Sequence, residues 1–194
     1  MLAESISEPD SNESKGEISR FLASASKELK LWLIAGSVPE SVLLSDGRCK
    51  LYNTSLVFEP QGRLVSKYRK LHLFDVDIAG NPESGCKPIS FRESDTFSSG
   101  DLGLGLVPTQ FGFDIGLGIC YDMRFPELAE RLRVRSQGSM KLLIYPGQFN
   151  MITGPLHWEL LGRARAVDTQ SFCVLASVAR SDEPGDYQVC IVHS

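Results

Sequence analysis

Cysteine pairs at CxxC spacing are missing from the sequence: its five cysteines, Cys49, Cys86, Cys120, Cys173 and Cys190, are scattered and odd in number. That pattern supplies no ligand set for a structural metal and argues against a disulfide framework, so reduced thiols are expected. Long apolar runs are missing too. The longest, such as KLLIYPG at 141–147 and FCVLASVA at 172–179, are strand-length and far short of the roughly 20 residues that a membrane-spanning helix requires. Nor is there a surplus of basic charge, because 24 acidic against 20 basic side chains leave a net charge of −4 with the signs interspersed. No basic stripe is offered to nucleic acid and no polybasic run to a membrane surface, so neither is an expected partner. The N-terminal stretch MLAESISEPDSNESKGE is acidic and serine-rich. It has neither the basic start and apolar stretch of a secretory signal nor the arginines of a transit peptide. A cytoplasmic location is the expectation, with a mitochondrial one as the alternative.

What is present suffices for a core. With 42% hydrophobic residues over 194 positions, one domain spanning 1–194 is expected rather than two small ones. Residues 4–17 read as a solvated loop. From Ile18 to Leu31, apolar residues at 18, 21, 22, 25 and 29 recur at helical spacing, and LWLIAGSV at 31–38 then runs apolar like a buried strand. The β-rich runs 50–58 and 64–71 flank EPQGR, with Gly62 at the tight position, which predicts a hairpin. Residues 72–110, interrupted by Gly80, Pro82, Gly85, Pro88 and Gly100, read as a long irregular loop of the kind that serves as a lid or substrate loop.

The stretch GLGICYDMRFPEL at 116–128 is the most informative. Large apolar side chains alternate at 111, 113, 115, 117 and 119, a strand period that stops at Cys120. Asp122 is expected to cap a following helix, Pro126 suits an early helical position, and Leu128, Ala129 and Leu132 continue an apolar face through about Val134. Cys120 therefore stands at a strand-to-helix elbow, where backbone N–H groups and a helix dipole are expected to lower a thiol pKa. By spacing alone a lone cysteine is more often a small buried hydrophobe. For Asp122 and Arg124 a cap and an ion pair are favoured over substrate orientation. A strand at 141–146, a loop at 147–155, a helix at 156–170 and a strand at 172–179 follow, and the alternation implies an α/β sandwich.

GLGICYDMRFPEL resembles the nucleophile segment of the carbon–nitrogen hydrolase (nitrilase) superfamily, and KYRKLHLFDVDIAG at 67–80 resembles its lysine segment. YPGQFNMITGPLHWELLGRARAVDTQ at 145–170 is similar to the segment after the nucleophile helix, and AGSVPE with LYNTSLVFEPQG to the central strands. The likeness runs in order from about residue 18 to residue 187. It implies a four-layer α-β-β-α sandwich, a homodimer, no metal and no organic cofactor. It also implies an amidase acting on a small-molecule amide, in the branch that cleaves the terminal amide of small dicarboxylic monoamides such as 2-oxoglutaramate. Other branches, acting on deaminated glutathione or carbamoyl amides, and a catalytically dead relative that only binds or dimerises are the alternatives.

Residue by residue, the resemblance makes Cys120 the nucleophile that forms a thioester and Lys70 the cation that stabilises the oxyanion with the backbone N–H of Tyr121. Glu93 matches the acidic residue near the lysine that positions substrate. Phe149 and Asn150 are expected to line the pocket, core packing being an equal account of Phe149. His72 and His157 are expected to be structural, and Arg163 and Arg165 to form ion pairs rather than bind a substrate carboxylate. The family's general-base glutamate is expected to precede the first residue, and the fold to be incomplete at both ends, with NPESGCKP at 81–88 inserted between lysine and glutamate.

Overall fold

The computed structural model describes residues 3–11, 16–80, 88–101, 103, 105–149 and 153–177. Helix α1, Glu17–Leu29, opens on Gly16, which has no side chain to cap it. Glu4 does so from a distance, its carboxylate accepting the N–H groups of Ile18 and Ser19, each at 2.9 Å. Two free helical donors are thereby satisfied by an anion at the positive end of the helix. Strands β1 (Leu33–Leu43), β2 (Cys49–Phe58) and β3 (Leu64–Arg69) form an antiparallel sheet in that order. The β2–β3 hairpin is as expected, with Gly62 at φ 80°, a left-handed turn position that suits glycine.

Alternation along β2 separates two apolar layers. Leu56 and Phe58 pack with Val38, Leu64 and Ile6 against Leu22 and Ala23 of α1, whereas Val57 joins Tyr68 in the main core. That core is completed by Leu117, Leu143 and Tyr145 of a second sheet, by Ile119 just after one of its strands and by Leu128, Leu132 and Trp158 of the helices beyond it. The order helix, sheet, sheet, helices is the four-layer α-β-β-α sandwich. β2 is buried on both faces from Leu56 to Phe58, and Thr54 and Ser55 before them are buried polar residues of the same strand.

Charge is buried in the outer layer. Glu40 of β1, 1% exposed, accepts from Arg69 Nε and Nη2 at 2.7 and 2.8 Å, from Thr54 Oγ1 at 2.7 Å and from Lys67 Nζ at 3.0 Å. Burial by itself would raise its carboxyl, but the hydrogen bonds from Arg69, Thr54 and Lys67 outweigh that and hold it below the ordinary carboxylate value.

Residues 72–110 are not the irregular loop expected. They contain the hairpin β4 (Asp75–Ile78) and β5 (Ile89–Arg92), a short 3₁₀ turn at Glu93–Asp95, and β6 (Leu106–Pro108). Val76 and Ile78 in β4 and Ile89 and Phe91 in β5 do alternate with polar residues, but over four positions each, too short a run to stand out among the surrounding glycines and prolines. Strand β1 also outruns its apolar segment, continuing to Leu43 through Pro39, a residue tolerated where a strand borders its sheet.

The second sheet has the order β6-β7-β8-β9, with β7 at Asp114–Leu117, β8 at Met140–Pro146 and β9 at Phe172–Ala176. β7, β8 and β9 run parallel, joined by α2 (Pro126–Arg135) and α3 (Gly154–Thr169). β7 begins later than the alternation suggested, Phe111 being 57% exposed in the preceding turn. No helix among the described residues is long and apolar enough to cross a membrane.

Candidate active site

Cys120 follows the end of β7 and opens a 3₁₀ turn, Cys120–Arg124, with φ 47°, a left-handed conformation seldom adopted by a side chain other than glycine, asparagine or aspartate. Gly147, after β8, lies beneath it: a Cβ there would stand 2.9 Å from Cys120 Cα and 3.1 Å from its Cβ. Only a residue without a side chain permits this approach. The Cys120 thiol donates to the Gln148 carbonyl at 3.5 Å.

Lys70 comes in from the end of β3. It is 3% exposed, and its Nζ lies 2.6 Å from Glu93 Oε2. The same oxygen takes the Phe74 N–H at 2.7 Å, and Glu93 Oε1 takes Asn53 Nδ2 at 3.1 Å. The carboxylate is thus fully engaged in fixing the lysine and the start of β4. Cys120, Lys70, Glu93, Tyr121 and Phe149 share the wall of one cavity of about 310 Å³, together with Phe74, Phe91 and Arg124. Five of the six site residues expected from sequence are brought together; Asn150 lies outside the described residues. Phe149 serves both readings, packing edge-on to Trp158 at 5.1 Å while facing the cavity. A second cavity, about 520 Å³, is also lined by Cys120 and Lys70, with Gly36 and Ser37 of β1 and Ala176 of β9.

The expected lowering of the thiol pKa is overturned. Burial pushes the Cys120 thiol up, and the nearby Lys70 ammonium opposes this only in part. The physical reason is that α2 starts at Pro126, so Cys120 heads a short 3₁₀ turn rather than the helix whose dipole was invoked.

Asp122 does not cap α2 either; Phe125 holds that position with Pro126 in the first turn. Its carboxylate, 0% exposed, accepts four hydrogen bonds: from Ile119 N–H and Tyr68 O–H at 2.9 Å each, from His72 N–H at 2.9 Å and from His72 Nδ1 at 2.8 Å. Burial, reinforced by this carboxylate, pushes the Tyr68 hydroxyl up and keeps it a donor. The His72 ring stacks on Phe125 at 3.7 Å. Asp122 therefore ties the lysine segment to the cysteine turn.

Arg124 differs from the ion pair expected of it. Its guanidinium lies 5.1 Å from the Phe149 ring and 5.8 Å from that of Tyr121, and Nη1 is 3.1 Å from His157 Nδ1. Among the described residues it has no carboxylate partner. Arg163 pairs with Glu159 at 3.3 Å, and Arg165 with Asp168 and the Met123 carbonyl, as foreseen. The sequence signal for Arg124 was only a charge two residues after Asp122, and its partners Phe149 and His157 lie far along the chain.

The sandwich and this cysteine, lysine and glutamate cluster define a class: the chain belongs to the carbon–nitrogen hydrolase family, whose sequence profile matches residues 2–190. Omega-amidase NIT2 of Homo sapiens is 48% identical over 168 residues, covering 87% of this chain and 55% of that protein. A hydrolase of Schizosaccharomyces pombe is 49% identical over 166 residues, covering 86% and 46%. The chain thus spans about half the length of the curated relatives it matches. Among solved structures, Saccharomyces cerevisiae Nit3, a member of branch 10 of the nitrilase superfamily, is similar with a TM-score of 0.72 at 38% identity, over 93% of this chain and 56% of that one. The C. elegans NitFhit protein gives 0.73 at 32%, over 89% and 39%.

Proposed function

We propose that the chain carries the active site of an omega-amidase-like enzyme, which removes the terminal amide of a small dicarboxylic monoamide such as 2-oxoglutaramate. The observation that carries this reading is Arg124: a guanidinium held by neutral groups, in the same cavity as Cys120, Lys70 and Glu93. A cation without an acidic partner among the described residues suits a substrate's free carboxylate, which it can hold in two parallel hydrogen bonds. The similarity to NIT2 supports the same substrate class.

In the proposed reaction the Cys120 thiolate attacks the amide carbonyl carbon. The oxyanion that forms meets the Lys70 ammonium and the Tyr121 N–H, which opens the turn before any intrahelical acceptor is available. The carbon–nitrogen bond breaks, the nitrogen leaves as ammonia with the proton given up by the thiol, and water hydrolyses the thioester to the dicarboxylate. Glu93 keeps the Lys70 ammonium aimed. Because the resting thiol is held protonated by burial, a base must accept its proton as substrate arrives.

That protonated thiol, donating to the Gln148 carbonyl, also favours a second reading, a relative that binds the dicarboxylate without turning it over. A homodimer belongs to the proposal as well, supported by the exposed Leu156, Leu160 and Val167 along α3. Ammonia release from 2-oxoglutaramate, with Cys120→Ala as control and a circular dichroism melt alongside, decides between the readings. Release abolished by the substitution supports the amidase, and none from a cooperatively melting chain supports the binding protein.

A further inference from the structure

Arg124 is seated by aromatic rings and one imidazole, and the imidazole has its own chemistry. A guanidinium only donates, so the contact of Arg124 Nη1 with His157 Nδ1 at 3.1 Å requires Nδ1 to be the acceptor. The His157 proton then sits on Nε2, and the ring is neutral. His157 lies in the first turn of α3, and its backbone N–H is tied to the Thr153 carbonyl at 3.0 Å. The imidazole is therefore presented by a helix end packed on the core through Trp158.

Rings alone do not fix a guanidinium. Contact with the faces of Phe149 and Tyr121, at 5.1 and 5.8 Å, sets its height and leaves it free to rotate in plane, since the attraction to a ring quadrupole has little in-plane direction. A hydrogen bond at one Nη stops that rotation and leaves the remaining N–H donors for a ligand. A carboxylate in its place would neutralise the charge and compete with the substrate; a neutral acceptor orients without competing.

We propose that His157 is a specificity-determining positioning residue: through Nδ1 it locks the Arg124 guanidinium in the pose that receives the anionic end of the substrate. The inference rests on the proposed role of Arg124 as the carboxylate site and adds what selects an anionic over a neutral chain end. His157 touches no reacting atom.

Calorimetric titration of the 194-residue chain with glutarate, and with its uncharged diamide, tests this without requiring turnover. The wild-type chain is expected to bind glutarate more tightly than the diamide. His157→Ala should weaken glutarate about tenfold and leave the diamide unchanged. His157→Asn, whose amide oxygen reaches the Nδ1 position, should remain within about twofold of wild type, whereas His157→Gln, whose amide reaches the Nε2 position, should behave like His157→Ala. Equal weakening of both ligands in His157→Ala, wild-type glutarate affinity in that variant, or equal behaviour of the Asn and Gln variants overturns the proposal. Arg124→Gln separates the two levels. If it loses glutarate while His157→Ala does not, only the role of His157 falls; if it binds glutarate as wild type does, or if the folded wild-type chain binds none, the carboxylate site falls as well.

Discussion

Asp122 Oδ1 accepts both the backbone N–H of His72, at 2.9 Å, and its ring Nδ1, at 2.8 Å. One carboxylate oxygen thereby fixes the segment that carries Lys70 to the turn that carries Cys120, and the other holds Tyr68 and Ile119. Removing it leaves several buried donors without an acceptor, so Asp122→Ala should lower unfolding stability by about 3–5 kcal/mol. Urea denaturation checks this. A loss below about 1 kcal/mol, the worth of a single hydrogen bond, would mean that the clamp is not what holds the two segments together.

The raised Cys120 thiol sets an order of labelling among the cysteines. Exposed Cys49 should react with iodoacetamide at neutral pH ahead of both Cys120 and Cys173, the latter pushed up to about 11 by burial. For Cys120 the rate should keep rising past the ordinary thiol value of 9.0, because only the thiolate reacts. Lys70→Gln removes the cation that partly offsets burial and should slow Cys120 further at any fixed pH. Mass spectrometry of the modified peptides gives the order directly.

Glu40 makes stability depend on acid. Its folded-state pKa lies below the ordinary 4.5, so the native state binds fewer protons than the unfolded one as pH falls toward that range. The stabilisation is fully present above 4.5 and is lost as pH drops through the depressed value. Urea midpoints should fall across that window, and Glu40→Gln should flatten the dependence while lowering the midpoint at neutral pH. A variant with an unchanged acid slope would assign the slope to other carboxylates.

Gly147→Ala places a methyl group 2.9 Å from Cys120 Cα, so the turn must move. Placement of a nucleophile is worth about a hundredfold in rate per ångström. Cysteine-dependent ammonia release should fall by about that factor, with a stability loss of about 1–3 kcal/mol from overpacking. Activity close to wild type would show that the turn yields without displacing the sulfur.

Legibility in the sequence followed the range of the interactions. The β2–β3 hairpin and the elbow at Cys120 were readable because period two, Gly62 and Pro126 act over a few residues. The meeting of Cys120, Lys70 and Glu93 was reached through resemblance of motifs, not through spacing. Asp122 was misread as a local cap because its partners Tyr68 and His72 stand 54 and 50 positions away. Arg124 was read as half of a local ion pair for the same reason, His157 being 33 positions distant. The β4–β5 hairpin escaped because its apolar face, Val76 and Ile78 against Phe91 and Ile89, is built from two four-residue strands, too short an alternation to read.

The left-handed backbone at Cys120 sets the fold and the sulfur at odds. A glycine there would relieve roughly 1 kcal/mol of steric cost while deleting the thiol that the proposed reaction needs. A sequence drifting without selection on chemistry would therefore gain stability by losing this cysteine, with glycine or asparagine as the replacements that its φ of 47° favours. Its presence marks a position where the chain is held away from its own conformational preference.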